Sequence, residues 1–217
     1  MEKQGFFITF SGGEGCGKTT QLGLLSDRLE ALGKPIIVTK EPGSPHCPVC
    51  VKIREILLDP SVGMENSTEL FLYIADRAEH VPFVKQCLAK GIVVLSDRHD
   101  DETVAYQHFG RGLDLITIIN LNLLATDGLE PDLTFLLDID PEAGFARIER
   151  AHDRLEKAGL DFHKRVNAGF RQLARDFPER FVVINATLPI QEIQEQIFCV
   201  TMERLEKAGL WKGGGKE

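Results

Sequence analysis

The sequence predicts an α/β fold of three layers, a five-stranded parallel sheet flanked by helices on both faces. Three observations lead there. Five short runs are nearly continuous in apolar residues, as strands covered on both faces tend to be: FFITF (6–10), PIIVTK (35–40), IVVLSD (92–97), LTFLLDI (133–139) and FVVINA (181–186). Longer stretches of helical periodicity separate them. The first run leads straight into SGGEGCGKTT (11–20), a glycine-rich turn that opens a helical pattern.

That turn carries the strongest motif in the chain. Gly12 and Gly17 stand at the spacing G-x-x-x-x-G-K-[ST], completed by Lys18 and Thr19. Glycines let successive N–H groups point inward and form an anion nest. Gly13, Glu14, Gly15 and Cys16 lie inside the loop, and Thr20 follows it. Lys18 adds a full positive charge, and the Thr19 hydroxyl is suited to Mg²⁺. Leu22, Leu25, Leu29 and Leu32 recur at helical spacing after it, so phosphates would also meet a helix N-terminus. A glycine-rich turn that binds nothing is the plainer reading, and the strand–loop–helix context argues against it.

Ligands of parallel α/β sheets gather at the carboxyl ends of the strands. The stretches to inspect after the later strands are KEPGSPHC, SDRHDDETVAYQ, DIDPEAG and NATLP. Asp97 ends the third strand, where an acid can hold Mg²⁺ directly or through water. Arg98 follows it with a planar guanidinium suited to a bidentate grip on phosphate. The alternative is a surface Asp–Arg pair. Tyr73 and Arg77 are four apart on an expected helix and share a face. By themselves they read equally well as a core aromatic and an exposed charge.

The 217 residues form one domain over 1–211, with the tail 212–217 after Trp211 expected to be disordered. Apolar content of 43% and charged content of 27% are ordinary for a globular protein. No apolar run approaches the about eighteen residues of a membrane span, which argues against a membrane partner. The N-terminal MEKQGFFITF reads as a core strand rather than a signal peptide. The net charge is −8 and no basic stripe is visible, which speaks against nucleic acid. Five cysteines, an odd number without a secretory signal, predict free thiols and the cytoplasm. RLEKAGL occurs at 154–160 and 204–210 without matching flanks, so it is not read as a repeat.

Taken together, EPG (41–43), YIADRAEH (73–80), DRH (97–99), VAYQHFGRGLD (104–114) and PDLTFLLDIDPEAG (131–144) resemble thymidylate kinase of the bacterial type, from about residue 5 to about 190. The resemblance implies a P-loop NTPase fold with a short helical lid at about 145–160. It implies a homodimer and phosphoryl transfer from ATP to dTMP with Mg²⁺, giving dTDP and ADP. Residues 12–20 would hold ATP, and Thr19 and Asp97 the metal. It assigns Arg98 to the acceptor phosphate, Tyr73 to stacking on thymine, and Arg77 to donation to the base's O4. Glu41, Pro42, Thr103, Tyr106 and Gln107 would line the nucleotide pocket, and Arg54 would reach the acceptor phosphate. Some family members carry an arginine where Gly15 stands here; such a chain without it takes the charge from the lid. Arg147, Arg150 and Arg154 are three and four apart, so a helix would bring them to one face. A solvated helix face is the other reading. No general base is required, because the acceptor is itself a phosphate with a second pKa of about 6.

The chain departs from the family pattern in three places. The lid looks about two residues shorter. Asp100, Asp101 and Glu102 form an acidic run beside the phosphate grip, which weakens anion binding unless they point away or hold Mg²⁺. SPHCPVC follows EPG and brings His46, Cys47 and Cys50 together; one C-x-x-C supplies only two of the four ligands a structural zinc wants, which favours plain thiols. Two other functions stay open on the residues: a kinase of another small acceptor, and a nucleotide-binding switch acting through a protein partner.

Overall fold

A computed structural model describes residues 4–149 and 153–211. The first strand, β1 (Phe6–Ser11), is buried along its whole length. The loop after it leads into α1 (Lys18–Ala31). There Leu22, Leu25 and Leu29 are fully buried, each worth about 1.5–3 kcal/mol. Leu32, expected on the same face, falls past the end of α1 and is 42% exposed. The reason is a glycine stop. Gly33 takes φ 75° and donates to Glu30 O at 2.8 Å, while Lys34 N–H reaches back to Leu29 O at 3.2 Å. This pair of bonds turns the chain out of the helix.

The remaining elements follow in order: β2 (Ile36–Lys40), α2 (Pro48–Leu58), α3 (Asn66–Ala89), β3 (Val93–Asp97) and the short α4 (Asp101–Thr103). A widened π-helical stretch, Val104–Gly110, continues α4. Then come α5 (Leu115–Thr126), β4 (Leu133–Asp138), α6 (Pro141–Phe145), a 3₁₀ turn (Glu156–Ala158), α7 (Leu160–Asp176), β5 (Phe181–Asn185) and α8 (Ile190–Lys207). The two RLEKAGL copies differ: one spans the 3₁₀ turn, the other ends α8.

The sheet has five parallel strands, as predicted, and their order is β2-β3-β1-β4-β5. Alternate residues of β1 serve opposite layers. Phe6, Ile8 and Phe10 pack with Leu22, Leu25 and Leu29 of α1 and Ile193 and Ile197 of α8. Phe7 turns to Val81, Val84 and Leu88 of α3. A third cluster joins α5, α7 and the π-helical stretch.

Register positions the chemistry. Phe10 pairs with Asp97, and Arg98 N–H donates to Phe10 O at 3.0 Å. The end of β3 is thereby fixed beside the loop that follows β1. Among the described residues, no helix is long and apolar enough to cross a membrane.

Candidate active site

The loops after β1, β2 and β3, the inner face of α3 and the π-helical stretch surround one cavity of about 640 Å³. The phosphate loop lines one part of it. Lys18 is buried, and its ammonium donates to Gly12 O at 3.0 Å and Gly13 O at 2.9 Å. The glycine at 15 has a structural cause: a Cβ there would lie 1.9 Å from Gly144 O, at a backbone φ of 68°. The loop touches the start of the lid segment where a family arginine would stand. Glu14 to Thr20 all line the cavity, whereas Gly12 and Gly13 do not.

Glu14, expected to serve the donor side, turns its carboxylate elsewhere. It accepts from both Arg98 (Nη2 to Oε1, 3.0 Å) and the Tyr106 hydroxyl (2.5 Å). Burial alone would raise its pKa, but the charges of Arg98 and Lys18 reverse this and hold it at about 2. Arg98 sits at φ 75°, an unfavourable region for a non-glycine residue. Its backbone is held there by Phe10 O and by the Ser96 hydroxyl, which donates to Arg98 O at 2.7 Å.

The other part of the cavity is built on α3. Glu69, Tyr73, Asp76, Arg77 and His80 recur at helical spacing on one face. The Arg77 guanidinium is fully buried and donates to Glu41 Oε2 (2.9 Å), Thr103 Oγ1 (2.7 Å), Asn122 Oδ1 (2.8 Å) and His99 O (2.8 Å). A guanidinium has five N–H donors, so one is left uncommitted among the described residues. Glu41 also meets His80 and His99 through their Nδ1 atoms, at 2.9 and 3.1 Å. Burial would raise Glu41, yet Arg77 holds it well below the usual carboxylate range. His99 is shifted the other way: burial works against its charge, but Glu41 and Asp100 prevail and raise it. Burial pushes the Tyr73 phenol above its ordinary range, so it stays neutral.

Pro42, Arg54, Tyr73, Thr103, Tyr106 and Gln107 all line the cavity. Arg54 donates to Pro42 O at 2.8 Å. Gln107 gives its amide N–H to Glu69 at 3.0 Å. A carboxylate only accepts, so this bond leaves the Gln107 carbonyl oxygen available. Thr19 donates to Asp97 Oδ2 at 2.9 Å, and Asp97 Oδ1 is buried without a partner.

Arg147 and Arg154, the two described lid arginines, do not share a helical face. Helix α6 ends at Phe145, and Arg147 and Arg154 both lie outside any helix. Arg147 lines the cavity and donates to Ala186 O at 3.0 Å. Arg154 points elsewhere, to Leu57 O (2.8 Å) and Glu69 (2.6 Å), because Glu69 is a buried acid that draws both it and Arg111. Arg150 lies outside the described residues.

The acidic run divides. Asp101 faces away in a bidentate pair with Arg180, both contacts at 2.7 Å. Glu102 lines the cavity, and burial pushes it up to about 7, only partly offset by Arg98. The cysteine segment is structural: Cys47 caps α2 by accepting from Cys50 N–H, the Cys50 thiol donates to Asp76 O, and His46 stacks on Phe83 at 4.4 Å. Sequence reasoning missed Asp76, His80 and Asn122. The helical spacing within YIADRAEH signalled the first two; nothing local signalled Asn122.

A phosphate loop and a second, arginine-lined pocket opening into one cavity define a phosphotransferase of the α/β phosphate-loop class. The thymidylate kinase family profile matches residues 10–197. The chain is 48% identical over 211 residues to a thymidylate kinase of Geotalea uraniireducens (strain Rf4), covering 93% of this chain and 98% of that protein. It is 46% identical over 204 residues to one from Deinococcus radiodurans, with 93% and 98% covered. The chain belongs to the thymidylate kinase family.

Proposed function

We infer that this enzyme transfers a phosphoryl group from ATP to dTMP, giving dTDP and ADP. The observation that carries the reading is the continuity of the cavity. Lys18 and the loop amides line one part, Tyr73 and Arg77 the other, with Arg98 also on its wall. Two nucleotides can meet there phosphate to phosphate, and catalysis reduces to alignment, charge neutralisation and water exclusion.

The loop and Lys18 would bind the donor phosphates, and Arg98 the acceptor phosphate once Glu14 releases it. Tyr73 would stack on thymine. The uncommitted N–H of Arg77 suits the base's O4, and the Gln107 carbonyl oxygen suits its N3–H. Cytosine would set donor against donor at Arg77. Of the two described lid arginines, Arg147, on the cavity wall, is the better disposed to meet transferring phosphate. The Thr19 hydroxyl and Asp97, with its unpartnered oxygen, fit Mg²⁺, which when bound would neutralise charge on the phosphates.

A homodimer is supported by an apolar stripe on α5. Ile116, Ile119 and Leu123 are 64%, 46% and 60% exposed, and Phe71 of the adjacent α3 is 58% exposed. Contiguous exposed apolar surface of this kind marks an interface. The five cysteines are all free, in keeping with a reducing, cytoplasmic setting.

The test is ADP release measured with dTMP, dUMP, dCMP, UMP and GMP as acceptors. A clear preference for dTMP is expected, and indifference among them would remove the reading.

A further inference from the structure

We propose that Glu102 acts with Asp97 as a ligand, direct or through one water, for the divalent cation of phosphoryl transfer. The inference rests on the reading of the cavity as an ATP:dTMP site.

Glu102 is 7% exposed, and its two oxygens fare differently. Oε2 accepts from the His99 N–H at 3.0 Å, whereas Oε1 is buried without a partner. A buried acceptor left unbonded is costly and calls for an explanation. The His99 bond turns the carboxylate back onto the Asp97–Arg98–His99 segment. Asp97 shows the same division: Oδ2 takes the Thr19 hydroxyl, and Oδ1 has no partner. Both side chains line the cavity that Lys18, Thr19 and Arg98 also line.

The other acids of the run serve differently. Asp101 is committed to Arg180, and Asp100 does not line the cavity. Asp97 Oδ1 and Glu102 Oε1, buried and unsatisfied on side chains that line one phosphate-binding cavity, are a donor set for a hard cation. Mg²⁺ is bound through one or two carboxylates and completes its shell with phosphate oxygens and water.

Mn²⁺ is the probe. It is titrated, with electron paramagnetic resonance detection, into full-length protein saturated with dTMP and an inert ATP mimic. Glu102→Gln keeps the acceptor for His99 N–H and should weaken Mn²⁺ roughly tenfold. Unchanged affinity in a folded variant overturns the proposal. A second measurement uses the wild-type chain alone, so a variant that fails to fold does not matter. The anomalous signal of Mn²⁺ in crystals of the same complex should lie within direct or one-water reach of Glu102 Oε1; an ion beyond that reach overturns the proposal. Wild-type turnover of dTMP is assayed in parallel. Its absence would sink the functional reading, whereas an ion remote from Glu102 with normal turnover sinks only this assignment.

Discussion

Glu41 and Arg77 form an ion pair, Oε2 to Nε 2.9 Å, with side chains only 3% and 1% exposed. They lie 36 residues apart in sequence. Removing one partner leaves a buried charge uncompensated. Glu41→Ala should therefore cost about 3–5 kcal/mol in denaturant unfolding. Arg77→Ala should raise KM for dTMP far more than for ATP. Equal effects on both nucleotides would mean that this pocket is not the acceptor site.

Glu41 also dictates a direction with pH. Its folded pKa lies well below the ordinary value, so its stabilisation is complete above the ordinary carboxylate range. It is lost as pH falls through the lower folded value. Asp76 behaves oppositely. Burial and the Glu41 charge push it from 3.8 up to about 6. A raised carboxylate binds its proton more tightly when folded, so stability is lost as pH rises from about 4 to about 6. Asp76→Asn retains the acceptor for Gly43 N–H and should gain on the wild type across that window, by up to about 3 kcal/mol. Thermal unfolding from pH 4 to 7 measures it; a constant offset would refute the assignment.

Lys18 holds the carbonyls of Gly12 and Gly13. Lys18→Ala should abolish transfer, since the donor phosphates lose their cation. Wild-type rates in that variant would refute the donor site.

The two described lid arginines should separate. Arg147→Ala should lower kcat by on the order of 10³ with little change in KM for dTMP. Arg154→Ala should instead lower stability by about 1–3 kcal/mol, by removing a bond to buried Glu69, with kcat within a few-fold. The reverse pattern in steady-state kinetics would exchange their roles.

The apolar stripe of α5 predicts assembly. Leu123→Glu should convert a dimer to a monomer in light scattering, because a charge in a desolvated interface is costly. A wild-type chain that is monomeric at micromolar concentration would exclude the interface.

Much of this was legible beforehand. The parallel sheet followed from apolar runs broken by helical periodicity, and the shared face of Tyr73 and Arg77 from their spacing on an expected helix. Other features were hidden. Glu14 looked like part of the donor loop, but its carboxylate meets Arg98, 84 residues away. Arg154 looked like a companion of Arg147, but Glu69, 85 residues away, holds it. Three arginines at helical spacing suggested one face, yet the helix stops at Phe145.

By itself the sequence determined the local chemistry: a glycine loop shaped for phosphate, apolar runs that became strands, buried on both faces in β1, β3 and β4 and partly exposed in the edge strands β2 and β5, an aromatic and an arginine one helical turn apart. Short-range sterics and periodicity suffice for these, since each depends on residues a few positions apart. Only the tertiary structure decided which charges pair, which acid faces the cavity and which arginine turns away. Those outcomes depend on strand order and register, which bring the ends of β1, β2 and β3 together, and on burial, which obliges each enclosed charge to find a partner.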